Sequence, residues 1–393
     1  MTGKRVFITG ATGILGSWIL ADALRRGYEP SVLMRDATVR QARQRLELVL
    51  SLAGITDGAE RIRVYLGDVS EPSFGLTHQQ IDEIRGGTDL MVHCAASVSF
   101  DPQKEHDTWN TNVQGTVHVL DVLADTQIPL YHVSTAYVAG ARTGVCLESE
   151  LFKGQHFNNA YERSKCECEL MIQGAFASGA YRGAIFRPSI IVGASKGGRI
   201  AQFLNFYGFL RLVEAATSGK IDRGGRVRFA MDPDCTKNLV PVDWCAEALW
   251  HIVEHDAASG LVYHLTHPVP VPQKDLLDWA NSYLDTTTFR FEGVESIDQK
   301  GSPLERMAQF QLRHYRPYLQ DEPLFDRTHT ERALNGAVPF PETNADFFDT
   351  LFSYARTQEW RTIFSQQEVM AHRSPKTTAI AEVVSAVRQE VYS

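Results

Sequence analysis

The β-branched and aromatic run Val6-Phe7-Ile8-Thr9 leads directly into Gly10-Ala11-Thr12-Gly13-Ile14-Leu15-Gly16, and a helical stretch follows. A strand that hands over to a helix through so many glycines leaves few folds open. Gly10 permits a tight turn, Gly13 lets backbone N–H groups approach an anion, and Gly16 lets the helix pack closely on the strand. Thr12, Ile14 and Leu15 complete the loop, and the helix N-terminus faces the anion. The spacing predicts a helix from Ile14 to Arg26, with Leu15, Trp18, Ile19 and Ala23 on one stripe and Gly27 as its stop. These features predict a phosphate cradle for a dinucleotide.

Downstream, apolar strands alternate with helical patterns: 30–34, 61–66, 89–94, 129–134 and 183–186. Such alternation predicts an α/β fold, a Rossmann-type doubly wound parallel sheet. Beyond Gly193 it lapses into a helix-rich stretch, 199–217, and a Gly/Asp-rich segment, 218–234. Segments 239–243 and 261–265 read as returns to the core, with a helix from near Trp244 between them. We therefore expect a dinucleotide-binding Rossmann domain at 1–195 and 236–266. A smaller, discontinuous, helix-rich C-terminal substrate lobe would comprise 196–235 and 267–393, irregular after His267 and closing in helices. The aromatic run from Arg199 to Leu210 reads as a core helix of that lobe, with the wall of an acyl tunnel, or a face that grazes a membrane, as the alternatives.

The chain has 393 residues, 44% of them hydrophobic, enough for a substantial core. Lys and Arg number 39 against 47 Asp and Glu, and the net charge of -8 disfavours a nucleic-acid partner. No apolar run reaches the roughly 18 residues of a membrane span, so membrane contact would be peripheral. Cys94, Cys146, Cys166, Cys168, Cys235 and Cys245 form no CxxC pair, and no apolar leader precedes the first strand. This reads as a reducing, cytoplasmic setting with structural thiols and no metal site. His93, His132 and His264, on or near apolar strands, read as packed, hydrogen-bonded side chains.

Cofactor choice should show at the end of the second strand, which holds Arg35. A guanidinium there suits the 2′-phosphate of NADPH, with Arg40 and Arg43 adding to the field, whereas Asp36 would suit the ribose of NAD. Asp68, followed by Val69 at the end of the third strand, is placed to reach the adenine side. Tyr161 and Lys165 lie four apart on one helical face, so the ammonium is expected near the phenol, lowering its pKa toward working pH. Thr135 ends the apolar strand at 130–134, at the carboxyl edge where open α/β sheets bind ligands.

With these residues the chain resembles the extended short-chain dehydrogenase/reductase superfamily, and within it the branch of fatty acyl-CoA reductases and thioester reductase domains. The resemblance spans about residues 4 to 340. It rests on Gly10 to Gly16, His93 to Phe100, Thr111 to Thr116, His132 to Val138, Tyr161 to Lys165 and Phe186 to Gly193. It implies Thr135, Tyr161 and Lys165 as catalytic trio. It also implies a cofactor lined by Ala95, Ala96, Ser97, Asn112, Val133, Ser134, Tyr161, Lys165, Pro188, Ser189, Ile190 and Ile191. Cys166 departs from the tryptophan often found after the lysine, and Phe325-Asp326 matches loosely.

The implied reaction is NADPH-dependent reduction of an acyl thioester, carried by coenzyme A or an acyl carrier protein, to aldehyde and on to alcohol. The rival readings are a ketone or aldehyde reductase, a nucleotide-sugar epimerase or dehydratase, and a non-enzymatic NADP-binding regulator using the tail from Glu359 to Ser393.

Overall fold

Phe7 faces one side of its strand, and Val6 and Ile8 the other, each fully buried. The same alternation recurs in the neighbouring strands, as a sheet covered on both faces requires. In the computed structural model, which describes residues 3–217, 227–229, 232–255, 260–283, 289–291, 305–306, 316–319 and 322–363, the central sheet has seven strands. They are β1 (Arg5–Thr9), β2 (Glu29–Met34), β3 (Arg63–Leu66), β4 (Leu90–His93), β5 (Leu130–Val133), β6 (Gly183–Pro188) and β7 (Val262–Leu265). All are parallel, in the order β3-β2-β1-β4-β5-β6-β7. The chain reverses direction across the sheet between β1 and β4, which opens the ligand crevice at their carboxyl ends.

The helices are α1 (Ile14–Arg25), α2 (Val39–Leu52), α3 (His78–Gly86), α4 (Glu105–Trp109), α5 (Gly115–Leu123), α6 (Ala160–Ala177), α7 (Phe206–Thr217), α8 (Val242–His255), α9 (Gln273–Tyr283), α10 (Thr328–Leu334) and α11 (Ala345–Thr357). On one face α1 and α8 pack Trp18, Ile19 and Trp250 onto Val6, Ile8, Val92, Tyr131 and Phe186, and Trp250 Nε1 donates to the Ile19 carbonyl at 2.9 Å. On the other, α3, α5 and α6 place Ile84, Val119 and Ile172 over Phe7, Met91, Leu130 and Ile185.

The helix α6 is tied to the sheet by charge. Arg187 of β6, 1% exposed, donates from Nε and Nη2 to Glu169 at 2.7–3.0 Å and from Nη1 to the Glu150 carbonyl at 2.9 Å. A guanidinium fork matched to a carboxylate offsets part of the cost of burying both charges.

A second core lies beside the sheet, where α7, α9 and α11 bring together Tyr207, Leu210, Leu277, Trp279, Phe348, Leu351 and Phe352. Two expectations are corrected here. The helix expected from Arg199 begins only at Phe206, after Asn205 at φ 50°, and the region expected to be irregular after His267 contains α9. Segment Leu239–Pro241 is buried but stays outside the central sheet, pairing in parallel with Ile190–Val192. Most of the Gly/Asp-rich segment and the closing residues 364–393 lie outside the described residues.

Candidate active site

The glycine turn is closed by contact with its neighbours. Gly10 sits at φ +74°, and a Cβ there would lie 2.5 Å from the Ala95 nitrogen at the end of β4. A Cβ on Gly16 would lie 2.1 Å from the Gly10 carbonyl oxygen, so this glycine seats the helix on the turn itself. Gly13 caps α1 without a side-chain hydrogen bond, and the first turn carries no acidic residue. The N–H groups of this first turn and the positive helix end fit a dinucleotide pyrophosphate.

At the outer rim Arg45 ties the turn down: its guanidinium donates to Asp36 Oδ2 at 2.9 Å and to Thr12 Oγ1 at 3.1 Å. Sequence reasoning passed over Arg45, although it lies beside Leu46, a buried residue of α2. Arg43 is directed elsewhere, donating to the Ala59 carbonyl at 2.8 Å and pairing with Glu60 at 3.1 Å. Arg35 is exposed, 3.8 Å from Asp68. Asp68 accepts from the backbone and hydroxyl of Ser70, so it shapes the turn after β3, and Val69 is buried beside Gly115.

Asn112, buried in a π turn between α4 and α5, acts as a clamp. Its amide accepts from Ser97 N at 2.8 Å and donates to the Ser97 carbonyl at 3.0 Å and to Ser164 Oγ at 2.8 Å. The loop after β4 is thereby fixed to α6.

Thr135 follows β5, 5% exposed, and its hydroxyl is hydrogen-bonded to the Tyr161 phenol and, at 3.4 Å, to the Pro188 carbonyl. Tyr161 keeps part of its ring on the cavity it lines. The surrounding protein pushes its phenol above the ordinary tyrosine range, and the bond from Thr135 acts against that shift. The expected lowering by Lys165 is corrected: the ammonium is directed into the sheet, donating to the Val133 carbonyl at 2.7 Å, with His132 Nε2 at 3.1 Å. It is not among the leading influences on the phenol.

Thr135, Tyr161 and Lys165 nevertheless line one cavity of about 340 Å³, together with Gly13, Ile14, Leu15, Ala96, Val133, Ser134 and the 188–191 segment. Ser134 Oγ and Ser189 Oγ, both on this cavity, are buried with no partner among the described residues, as groups awaiting a ligand would be. Away from the glycine turn the wall is apolar: Ile200, Leu204, Phe206, Phe209, Leu276 and Leu277. The aromatic run thus divides, with Tyr207 and Leu210 in the core and Phe206 and Phe209 on the cavity.

The NAD-binding male sterility protein family matches this chain over residues 8–249. The chain belongs to that family. The aldehyde reductase lnaA of Aspergillus flavus is 27% identical over 393 residues, covering 90% of this chain and 36% of that protein. The L-2-aminoadipate reductase large subunit of Eremothecium gossypii is 31% identical over 267 residues, 61% of this chain and 18% of that one. The family member described here thus spans about a third or less of these curated relatives. Its fold matches the terminal R domain from the myxalamid PKS-NRPS biosynthetic pathway, with TM-score 0.78 and 22% identity over 92% of this chain and 93% of that one. Among the described residues no helix is long and apolar enough to cross a membrane, and no cluster of His, Cys, Asp or Glu could hold a metal ion.

Proposed function

We propose that this chain reduces an acyl thioester to the aldehyde with NADPH, and on to the alcohol in a second round, the acyl group arriving in the cytoplasm on coenzyme A or a carrier protein. In this reading residues 1–195 and 236–266 hold the cofactor, and 196–235 and 267–393 the acyl group. The observation that carries it is one cavity running from the glycine turn past Thr135, Tyr161 and Lys165 to an apolar wall. The names of the aldehyde and aminoadipate reductases, and of the R domain, support the same reading.

Gly10 to Gly16, Ala95, Ala96 and Pro188 to Ile191 would hold the dinucleotide, with Arg35 at its 2′-phosphate. When bound, NADPH supplies hydride to the thioester carbonyl. Thr135 and Tyr161 would hydrogen-bond the carbonyl oxygen as negative charge develops, and Tyr161 would transfer its phenolic proton there. The hemithioacetal so formed loses its thiol and leaves the aldehyde. Cys94 also lines the cavity, but burial pushes its thiol up to about 11, which keeps it from acting as a thiolate nucleophile near neutral pH.

NADPH oxidation against apolar and polar acyl-CoA and acyl-pantetheine thioesters, with products identified by mass spectrometry, tests the proposal. Aldehyde or alcohol formed in step with NADPH consumed is the expected result. Turnover of free ketones but of no thioester, or epimerisation of a nucleotide sugar with tightly retained NAD, would overturn it.

A further inference from the structure

Thr9, His93 and His132 lie side by side across β1, β4 and β5, paired in register Thr9↔His93 and His93↔His132. All three are almost completely buried. Strand alternation puts them on the face that α6 covers, the face of Phe7, Met91 and Leu130. A row of polar side chains under an apolar layer is costly, so each needs a partner. Thr9 Oγ1 meets His93 Nδ1 at 2.7 Å, the two histidine rings lie 5.1 Å apart, and His132 Nε2 meets Lys165 Nζ at 3.1 Å. His93 Nε2 and His132 Nδ1 have no partner among the described residues.

We propose that His132 is a positioning residue for Lys165: its neutral ring, protonated on Nδ1, accepts a hydrogen bond at Nε2 and, with the Val133 carbonyl, fixes the ammonium at the carboxyl edge of β5. An ammonium offers only donors, so the ring nitrogen that faces it must accept, and the ring proton is left on the unpartnered Nδ1. Two of the three ammonium hydrogens are then held by the sheet, and the third is left for the cavity. Burial keeps His132 from protonating, and Lys165 and His93 add to that effect. Burial lowers the Lys165 pKa, and Cys168, Cys94 and Glu169, the other titratable groups that bear on the ammonium, act against that shift. The same arrangement accounts for the direction of the Lys165 ammonium, which is set by β5.

The activity part of the test rests on the reductase reading; the spectroscopic part does not. Nitrogen-15 histidine NMR of the unliganded full chain reads the tautomer directly. The expected His132 signal is neutral and Nδ1-protonated, with an Nε2 resonance that moves in Lys165→Met. An Nε2-protonated or charged ring at neutral pH would overturn the proposal, whatever substrates are turned over. In kinetics, His132→Phe should lower kcat by about tenfold or more while the acyl-substrate KM changes little, and His132→Gln, whose Oε1 can accept at similar reach, should restore most of it. A folded His132→Phe with unchanged kcat, or a His132→Gln as impaired as the phenylalanine variant, would also overturn it.

Discussion

The Thr135 hydroxyl and the Tyr161 phenol are hydrogen-bonded to each other across the gap between the end of β5 and the first turn of α6. Two hydroxyls thereby stand side by side on the cavity wall. Replacing Tyr161 with Phe should lower kcat by about 10²–10⁴-fold while the NADPH dissociation constant, read by fluorescence titration, stays within about twofold. Thr135→Ala should cost about 10²–10³-fold, and Thr135→Ser much less.

The direction of the Tyr161 shift sets the pH profile. A donor must be protonated to act, and a phenol raised above its ordinary value of about 10 keeps its proton further into the alkaline range. Reductive kcat should therefore show no loss from this group between about pH 6 and 9, and should fall only above that window. A decline centred near neutrality that disappears in Tyr161→Phe would show the phenol to be acidified when ligands are bound.

Gly16 and Gly27 separate contact from conformation. In Gly16→Ala the new methyl collides with the Gly10 carbonyl oxygen, so the cradle must open, and NADPH affinity should drop by more than about tenfold. Gly27 has φ +78° and open space around it, so Gly27→Ala should cost only about 1–2 kcal/mol in denaturant unfolding and leave cofactor affinity intact.

On the proposed reading the two rim arginines differ in what they would do for the cofactor. Arg35→Ala should weaken NADPH binding by about 10–100-fold, the worth of a lost charge-assisted contact, with little effect on NADH. Arg45→Met should weaken both, because it frees Thr12 and Asp36. Parallel titrations with the two nucleotides distinguish these outcomes.

The pair Arg187–Glu169 is buried on both sides. Glu169→Gln leaves the guanidinium uncompensated and should destabilise the protein by about 3–5 kcal/mol, read as a lower midpoint of urea unfolding at unchanged slope.

Much of the fold was legible because burial on both faces writes each strand as a short apolar run bounded by turn residues, and because Gly10 and Gly16 have no substitute at their contacts. Thr135, Tyr161 and Lys165 were legible by spacing, and they do line one cavity. The direction of Lys165 was not: helical spacing says that two side chains share a face, whereas the partner of each is set by the strand beneath. His132 was read as a packed, hydrogen-bonded histidine, but its place beside His93 requires the β4–β5 register, which no local pattern encodes. Arg43 and Arg45 differ by only two positions on α2, and tertiary contacts alone decide which of them meets the turn. Likewise the aromatic run divided between core and wall because the cavity borders the helix on one side only.

Helix α6 is anchored at two levels, through Ser164 to Asn112 and through Glu169 to Arg187. The turn that carries Tyr161 and Lys165 therefore has no private route to disorder: on the proposed reading, thermal inactivation should track the cooperative melting of the whole sheet, with little of the early, reversible softening seen where reactive groups ride on a loop. Engineering for durability would then succeed by strengthening the scaffold anywhere, without having to stiffen the reaction centre itself.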